Sequence, residues 1–109
     1  MNETTKNILI EEIEHLLSKI LLPENGPVIQ EVSLVTDSGN LPAIFANMKF
    51  FLEKGVLPKS GEGYSNLPAI VFGLPTFQDF LMKELEDKIP LEEIRGLGRS
   101  YLDAYKKEM

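Results

Sequence analysis

Proline divides this chain into short pieces, and that limits the fold more than any other feature. In a helix interior it removes a hydrogen bond and strikes the carbonyl four residues back, whereas the first turn accepts it. The pentapeptide Asn-Leu-Pro-Ala-Ile occurs twice, from Asn40 and from Asn66. After the first copy the chain continues as FANMKFFLEKG without interruption. After the second, Pro75 follows Pro68 by seven residues and would meet the carbonyl of Val71 if one helix ran through. The second copy can therefore open one or two helical turns, or a short strand, and no more. A shift of 26 residues pairs Phe51 with Phe77 but Lys49 with Pro75, so the faces of the two copies do not superpose. Two copies are also too few for a stacked array. The pentapeptide reads as one helix entry used twice: asparagine caps, proline sets the first turn, and leucine and isoleucine anchor it.

Apolar spacing fills in the segments between these marks. Leu9, Ile13, Leu16, Leu17 and Ile20 form one stripe of a 3.6-residue period, with Glu11, Glu12, Glu14 and Lys19 off it. The turn signal Glu-Asn-Gly-Pro after Pro23 ends that helix. Asn40 and Pro42 open a second helix, which buries Leu41, Ile44, Phe45, Met48, Phe51 and Leu52 and stops at Gly55. Phe50 lies beside that stripe, where it either widens the core face or marks an interface. Residues 56–66 read as a loop. Thr76 caps a third helix, with Asp79 completing a capping box, and Phe77, Phe80, Leu81 and Leu85 form its stripe as far as Pro90. A short helix from Pro90 to Arg95 is interrupted by Gly96-Leu97-Gly98, and Ser100 with Asp103 caps a closing helix that ends at Lys106 and Lys107. Residues 28–35 fit either period, and their β-branched content leans towards a strand paired with residues 69–74. The expected fold is mainly α, a compact bundle of four to five short helices in a single domain over residues 1–109. One short two-stranded β element is admitted, which would make the class α+β.

Composition narrows the chemistry. The 109 residues include no cysteine and one histidine, which removes thiol catalysis, cysteine-based zinc sites and disulfides. At 43% hydrophobic, a chain of this length buries roughly two-thirds of its unfolded surface and needs no cross-link. Ile8 to Ile10 is the longest early apolar run, and the acids after it suit neither a signal peptide nor a membrane span. A cytoplasmic location is expected. The net charge of −6 disfavours coating of nucleic acid or anionic membrane. The acids concentrate in residues 3–37 and 79–93, while Arg95, Arg99, Lys106 and Lys107 make the tail basic.

Three patterns carry candidate chemistry. Glu12 to His15 is an E-x-x-H, the spacing of di-iron helical bundles. Such a site needs a second histidine, which only a symmetric dimer would supply. Lys59 to Ser65 is glycine-rich, but its lysine precedes the glycines, so it is not a Walker phosphate loop. In residues 91–105, two short helical pieces are joined by Ile94, Gly96, Leu97 and Gly98 and flanked by Arg95 and Arg99. This stretch resembles the helix-hairpin-helix of many DNA-binding proteins, although Leu102 stands where that family has a small residue. The resemblance implies a phosphate held by backbone N–H groups of the Gly-x-Gly turn, with Arg95, Gly96, Gly98 and Arg99 as the site.

With catalytic residues, metal ligands and cofactor motifs unassigned, the reading these features favour is a small acidic protein–protein interaction module. An adaptor, a regulator or an inhibitor of the immunity type would act in this way. Glu11, Glu12, Glu14, Glu84, Glu86, Asp87, Glu92 and Glu93 are its candidate contacts with a basic protein partner, and a homodimer is compatible with it. The alternatives are a nucleic-acid-binding protein using the Gly-Leu-Gly corner, and a helical metal protein using His15 and its neighbouring glutamates.

Overall fold

The computed structural model describes residues 2–36, 41–59 and 65–108. Among them lie six α-helices and one 3-10 turn, and no strand. The first helix, α1 (Glu3–Ile20), starts as its cap dictates: Asn2 Oδ1 accepts a hydrogen bond from the Thr5 N–H at 2.8 Å. It buries Leu9, Ile13, Leu16 and Ile20, the stripe expected from the spacing, with Leu17 half-buried. The chain then makes a 3-10 turn at Pro23–Asn25, braced by the Asn25 side-chain amide donating to the Lys19 carbonyl at 2.7 Å.

At this point the structure departs from the sequence reading. Gly26-Pro27 does not close a turn; it opens α2 (Gly26–Thr36), so residues 28–35 are helical. The strand proposed for residues 69–74 is also absent, because α4 (Leu67–Phe72) and its closing turn occupy it. The two corrections are linked. A lone strand leaves one set of backbone N–H and C=O groups without partners, while a helix satisfies its own. Once Pro75 and Gly73 confine the second segment to a short helix, the first has no strand to pair with. Val32 then becomes the buried centre of α2, with Val28 and Ile29 half-buried beside it.

The helix α3 (Leu41–Lys54) buries Leu41, Ile44, Phe45, Met48 and Leu52 of its expected stripe, while Phe51, expected to be buried with them, is half-buried. Gly55 stops it in the left-handed region at φ 72°, its N–H donating to the Phe51 carbonyl at 2.8 Å. Asn40, the proposed cap of this helix, lies outside the described residues, as does most of the glycine-rich part of the 56–66 loop. At the second pentapeptide, Asn66 makes no side-chain cap; the Ser65 hydroxyl accepts from the Leu67 N–H instead, at 3.2 Å.

The helix α5 (Pro75–Glu84) follows directly, with Pro75 in its first turn. Its expected capping box does not form: Leu74 is the cap residue, and the Thr76 hydroxyl donates across to the Glu31 carboxylate on α2. It ends well short of Pro90. The Glu86 N–H donates to the Lys83 carbonyl at 3.2 Å and the Asp87 N–H to the Met82 carbonyl at 3.1 Å, with Glu86 left-handed at φ 52°. This is a Schellman closure made without glycine. Finally α6 (Leu91–Glu108) is one unbroken helix.

The principal pairings are α1 with α3 and α4 with α6, and α2 packs across α4 and α5. Phe45, Phe72, Phe77 and Phe80 meet where these layers join, with neighbouring ring centroids 6.0 to 6.4 Å apart. Phe51 of α3 meets Tyr101 of α6 edge-on at 4.9 Å. Phe50, expected either to widen the core face or to mark an interface, is 38% exposed.

Candidate functional site

The glycines of α6 do not make a corner. Ile94, Leu97, Gly98 and Tyr101 lie on the buried face of one continuous helix, at the i, i+3, i+4, i+7 spacing of a single stripe. The phosphate-binding turn implied by the helix-hairpin-helix resemblance is therefore absent, as is the helix cap proposed at Ser100 and Asp103. What glycine supplies at position 98 is proximity. A Cβ placed there would lie 3.0 Å from Phe72 Cβ and 3.6 Å from the Ala69 carbonyl oxygen, so α4 and α6 approach closer than alanine would allow. Gly96 faces elsewhere, and a Cβ there would meet only the tip of Arg99 at 3.9 Å.

Beside this close approach the two helices diverge into a cleft of about 340 Å³. Ala69, Ile70, Phe72 and Gly73 form one wall, and Gly98, Arg99 and Leu102 the other, with Gln78 at the base and Arg95 at the edge. Gln78 is 6% exposed, the buried polar side chain of the core. Its Nε2 donates to the Phe72 carbonyl at 2.8 Å, which ties the end of α4 to α5. Its Oε1 accepts a long hydrogen bond from Arg95 Nε at 3.4 Å. The Arg95 guanidinium then reaches outward to Glu92 at 3.2 Å, and Arg99 lies 4.0 Å from the other oxygen of the same carboxylate. Three of the four residues singled out for phosphate binding, Arg95, Gly98 and Arg99, thus share one cleft wall, while Gly96 does not line it. The opposite wall and Gln78 had no signal in the sequence, because the cleft arises from the approach of separate helices.

The eight candidate acidic contacts divide in two. Lys19 bridges Glu12 on its own helix and Glu84 of α5, the latter at 3.6 Å, which joins the two acidic stretches on one face. The Glu12 carboxylate, first, and then the charge of Glu84 hold the Lys19 ammonium above its ordinary value. Lys49 of α3 pairs with Glu14 at 2.7 Å and with Glu53 at 3.7 Å. The Lys49 ammonium holds the Glu14 carboxyl below the usual range, and Glu14 raises Lys49 in turn. Glu92 serves Arg95 and Arg99. Glu11, Glu86 and Asp87 are exposed and have no ion-pair partner among the described residues. Glu93 is half-buried, with one carboxylate oxygen enclosed and unbonded among those residues. Half of the proposed acidic contacts are thus already engaged in ties within the molecule.

His15 is exposed on α1, and the Ser18 hydroxyl next to it donates to the His15 backbone carbonyl at 3.0 Å. Among the described residues no group of three or more His, Asp or Glu side chains converges as a metal site would require. No helix among them is long and apolar enough to cross a membrane.

A second surface stands out on α2. Pro27, Gln30, Glu31 and Leu34 follow one another along its outer face and line a shallow furrow with Ser33. Leu34 is 80% exposed and Val35 45%. The furrow's one charge, Glu31, is engaged by Thr76. In a chain with 26% charged residues, this is a helical face with one charge. Compared with family models, curated proteins and solved structures, the chain matches none.

Proposed function

We propose that this protein is a small, non-catalytic protein–protein interaction module of the cytoplasm, a regulator or antagonist that covers part of a partner's surface. The observation that carries this reading is the outer side of α2, where the exposed Leu34 lines a furrow with a single charge and Val35 is exposed next to it in the chain. Interface centres are depleted in charge and rimmed by polar groups, whereas an ordinary surface helix is charged on its outer side. The net charge of −6 supplies steering towards a basic partner, and of the candidate acids Glu11, Glu86 and Asp87 have no ion-pair partner among the described residues.

Leu34→Glu tests this reading. Because Leu34 is 80% exposed, the variant should keep the helical circular dichroism and melting temperature of the parent. Partners captured by the parent, by chemical cross-linking in cells and by affinity purification, should be lost from the variant. Salt should slow their association with the parent. If sedimentation shows the parent to be a dimer that Leu34→Glu dissociates, the partner is a second copy. Unchanged capture by the variant would remove α2 from the proposal.

A further inference from the structure

The geometry points to the α4–α6 cleft as a second, independent binding site, one that takes a small apolar carboxylate with a body about the size of one large side chain. Its dimensions set the first half of that description. About 340 Å³ lies at the lower end of the range for small-molecule sites. Phe72, Ile70 and Leu102 offer an apolar lining, and the Gln78 amide at the base gives one N–H to the Phe72 carbonyl and accepts one long hydrogen bond from Arg95. An occupant therefore needs an apolar body, with Gln78 as the polar side chain at its buried end.

The rim sets the second half. Arg95 and Arg99 stand one turn apart on the same wall of a protein whose net charge is −6. Charges farther away than about 8–10 Å are largely screened, so the field at the mouth is set by nearby groups, with the two guanidinium groups outnumbering the one carboxylate paired with them. Planar guanidinium groups recognise carboxylates in paired hydrogen bonds. Here one carboxylate already serves both: Glu92 reaches Arg95 at 3.2 Å and Arg99 at 4.0 Å, yet is itself 73% exposed. Glu92 acts as an internal stand-in for the ligand's carboxylate, held loosely enough to be displaced. It does not line the cleft, so it supplies the anion without filling the apolar volume.

The test is a titration of the full-length, nitrogen-15-labelled protein with N-acetyl-L-phenylalanine and with its carboxamide, followed by two-dimensional NMR. The acid should produce saturable shifts centred on Gly73, Gly98 and Leu102. The carboxamide, which lacks the charge, should bind roughly tenfold more weakly. Arg99→Gln, at a side chain 67% exposed, should lower affinity for the acid by about three- to tenfold without altering the melting temperature. Glu92→Gln should raise it by about threefold, a gain that a merely structural ion pair would not give. A tripeptide ending in phenylalanine that binds more tightly than the free acid identifies the terminus of a partner chain as the source; equal affinity identifies a free small carboxylate. Equal binding of acid and carboxamide would overturn the assignment. So would weaker binding by Glu92→Gln, or no saturable shift up to about 20 mM, where even a millimolar site would be filled. None of these readouts involves α2, so the two proposals stand or fall separately.

Discussion

Between α1 and α3 the contact is made by large side chains. Leu9, Ile13, Leu16 and Ile20 of α1 and Leu41, Ile44, Phe45 and Met48 of α3 share one core where the two helices pack, and Lys49 closes the edge on Glu14. Between α4 and α6 it is made by the lack of one, since Gly98 lets the helices touch through Phe72 Cβ before they diverge into the cleft. Close approach at one point leaves space at another: a helix pair joined at a glycine can open a pocket that a pair filled with leucines would occupy. The difference separates a filled seam from one that leaves a cleft.

The largest expected effect breaks the filled seam. Leu16 is fully buried, and Leu16→Ala should destabilise the fold by about 2–5 kcal/mol through lost burial and the cavity left behind. Leu102→Ala, on the half-buried wall of the cleft, should lose about 1 kcal/mol or less, since the space it vacates is already open. Urea unfolding of the two variants side by side measures the contrast, and equal losses would mean that the cleft is packed as tightly as the core.

The two seams also differ in how legible they are in sequence. The stripes of α1 and α3 are read directly, because every buried position is a large apolar residue at helical spacing. On α6 the same spacing is present in Ile94, Leu97 and Tyr101, but a glycine fills the remaining place in the stripe. Glycine's usual role as a breaker hid the continuity, although Gly96 and Gly98 in mid-helix weaken it by only about 1 kcal/mol each. A buried stripe spanning seven residues outweighs that. In α2 the obstacle was different. Val28, Val32 and Val35 suit a helix and Val28, Val32 and Leu34 a strand, and the choice was made by Pro75 some forty residues away. The cleft was half legible: Arg95, Gly98 and Arg99 stood out together, but for a turn that does not exist. The α2 furrow was hidden by its ordinary composition.

Where the seams meet, Tyr101 of α6 packs its ring on Phe51 of α3, and this junction is expected to be sensitive to alkali. Tyr101 is 1% exposed, and burial pushes its phenol from 10.0 up to about 12. Its folded value lies above its unfolded one, so the stabilisation is fully present below pH 10 and is lost as pH rises towards 12. Two units correspond to roughly 2–3 kcal/mol. Lys19 and Lys49, raised by their glutamates above 10.5, add a loss of the same sign at higher pH. Absorbance titration should show one tyrosine ionising only as the helical signal disappears. Tyr101→Phe should flatten the fall in stability between pH 10 and 12 and leave the contribution of the lysines. An unchanged pH profile in that variant would place the alkaline sensitivity elsewhere.

The smallest expected effect gives the sharpest comparison, because it sets the two glycines of α6 against each other on one helix. Both Gly96→Ala and Gly98→Ala gain the same intrinsic helical preference, about 1 kcal/mol. At position 96 nothing opposes it but the flexible end of Arg99, so the variant should be more stable by about 0.5–1 kcal/mol. At position 98 the new methyl group meets Phe72 Cβ at 3.0 Å, an atom fixed to the backbone that no change of rotamer can move. The α4 backbone must then shift, at about 1–3 kcal/mol, which cancels or reverses the gain. Subtracting one variant from the other removes the propensity term and leaves the price of close approach alone. Thermal melts of the pair measure it, and equal stabilisation by both would show that α4 yields freely and that Gly98 is not what draws the two helices together.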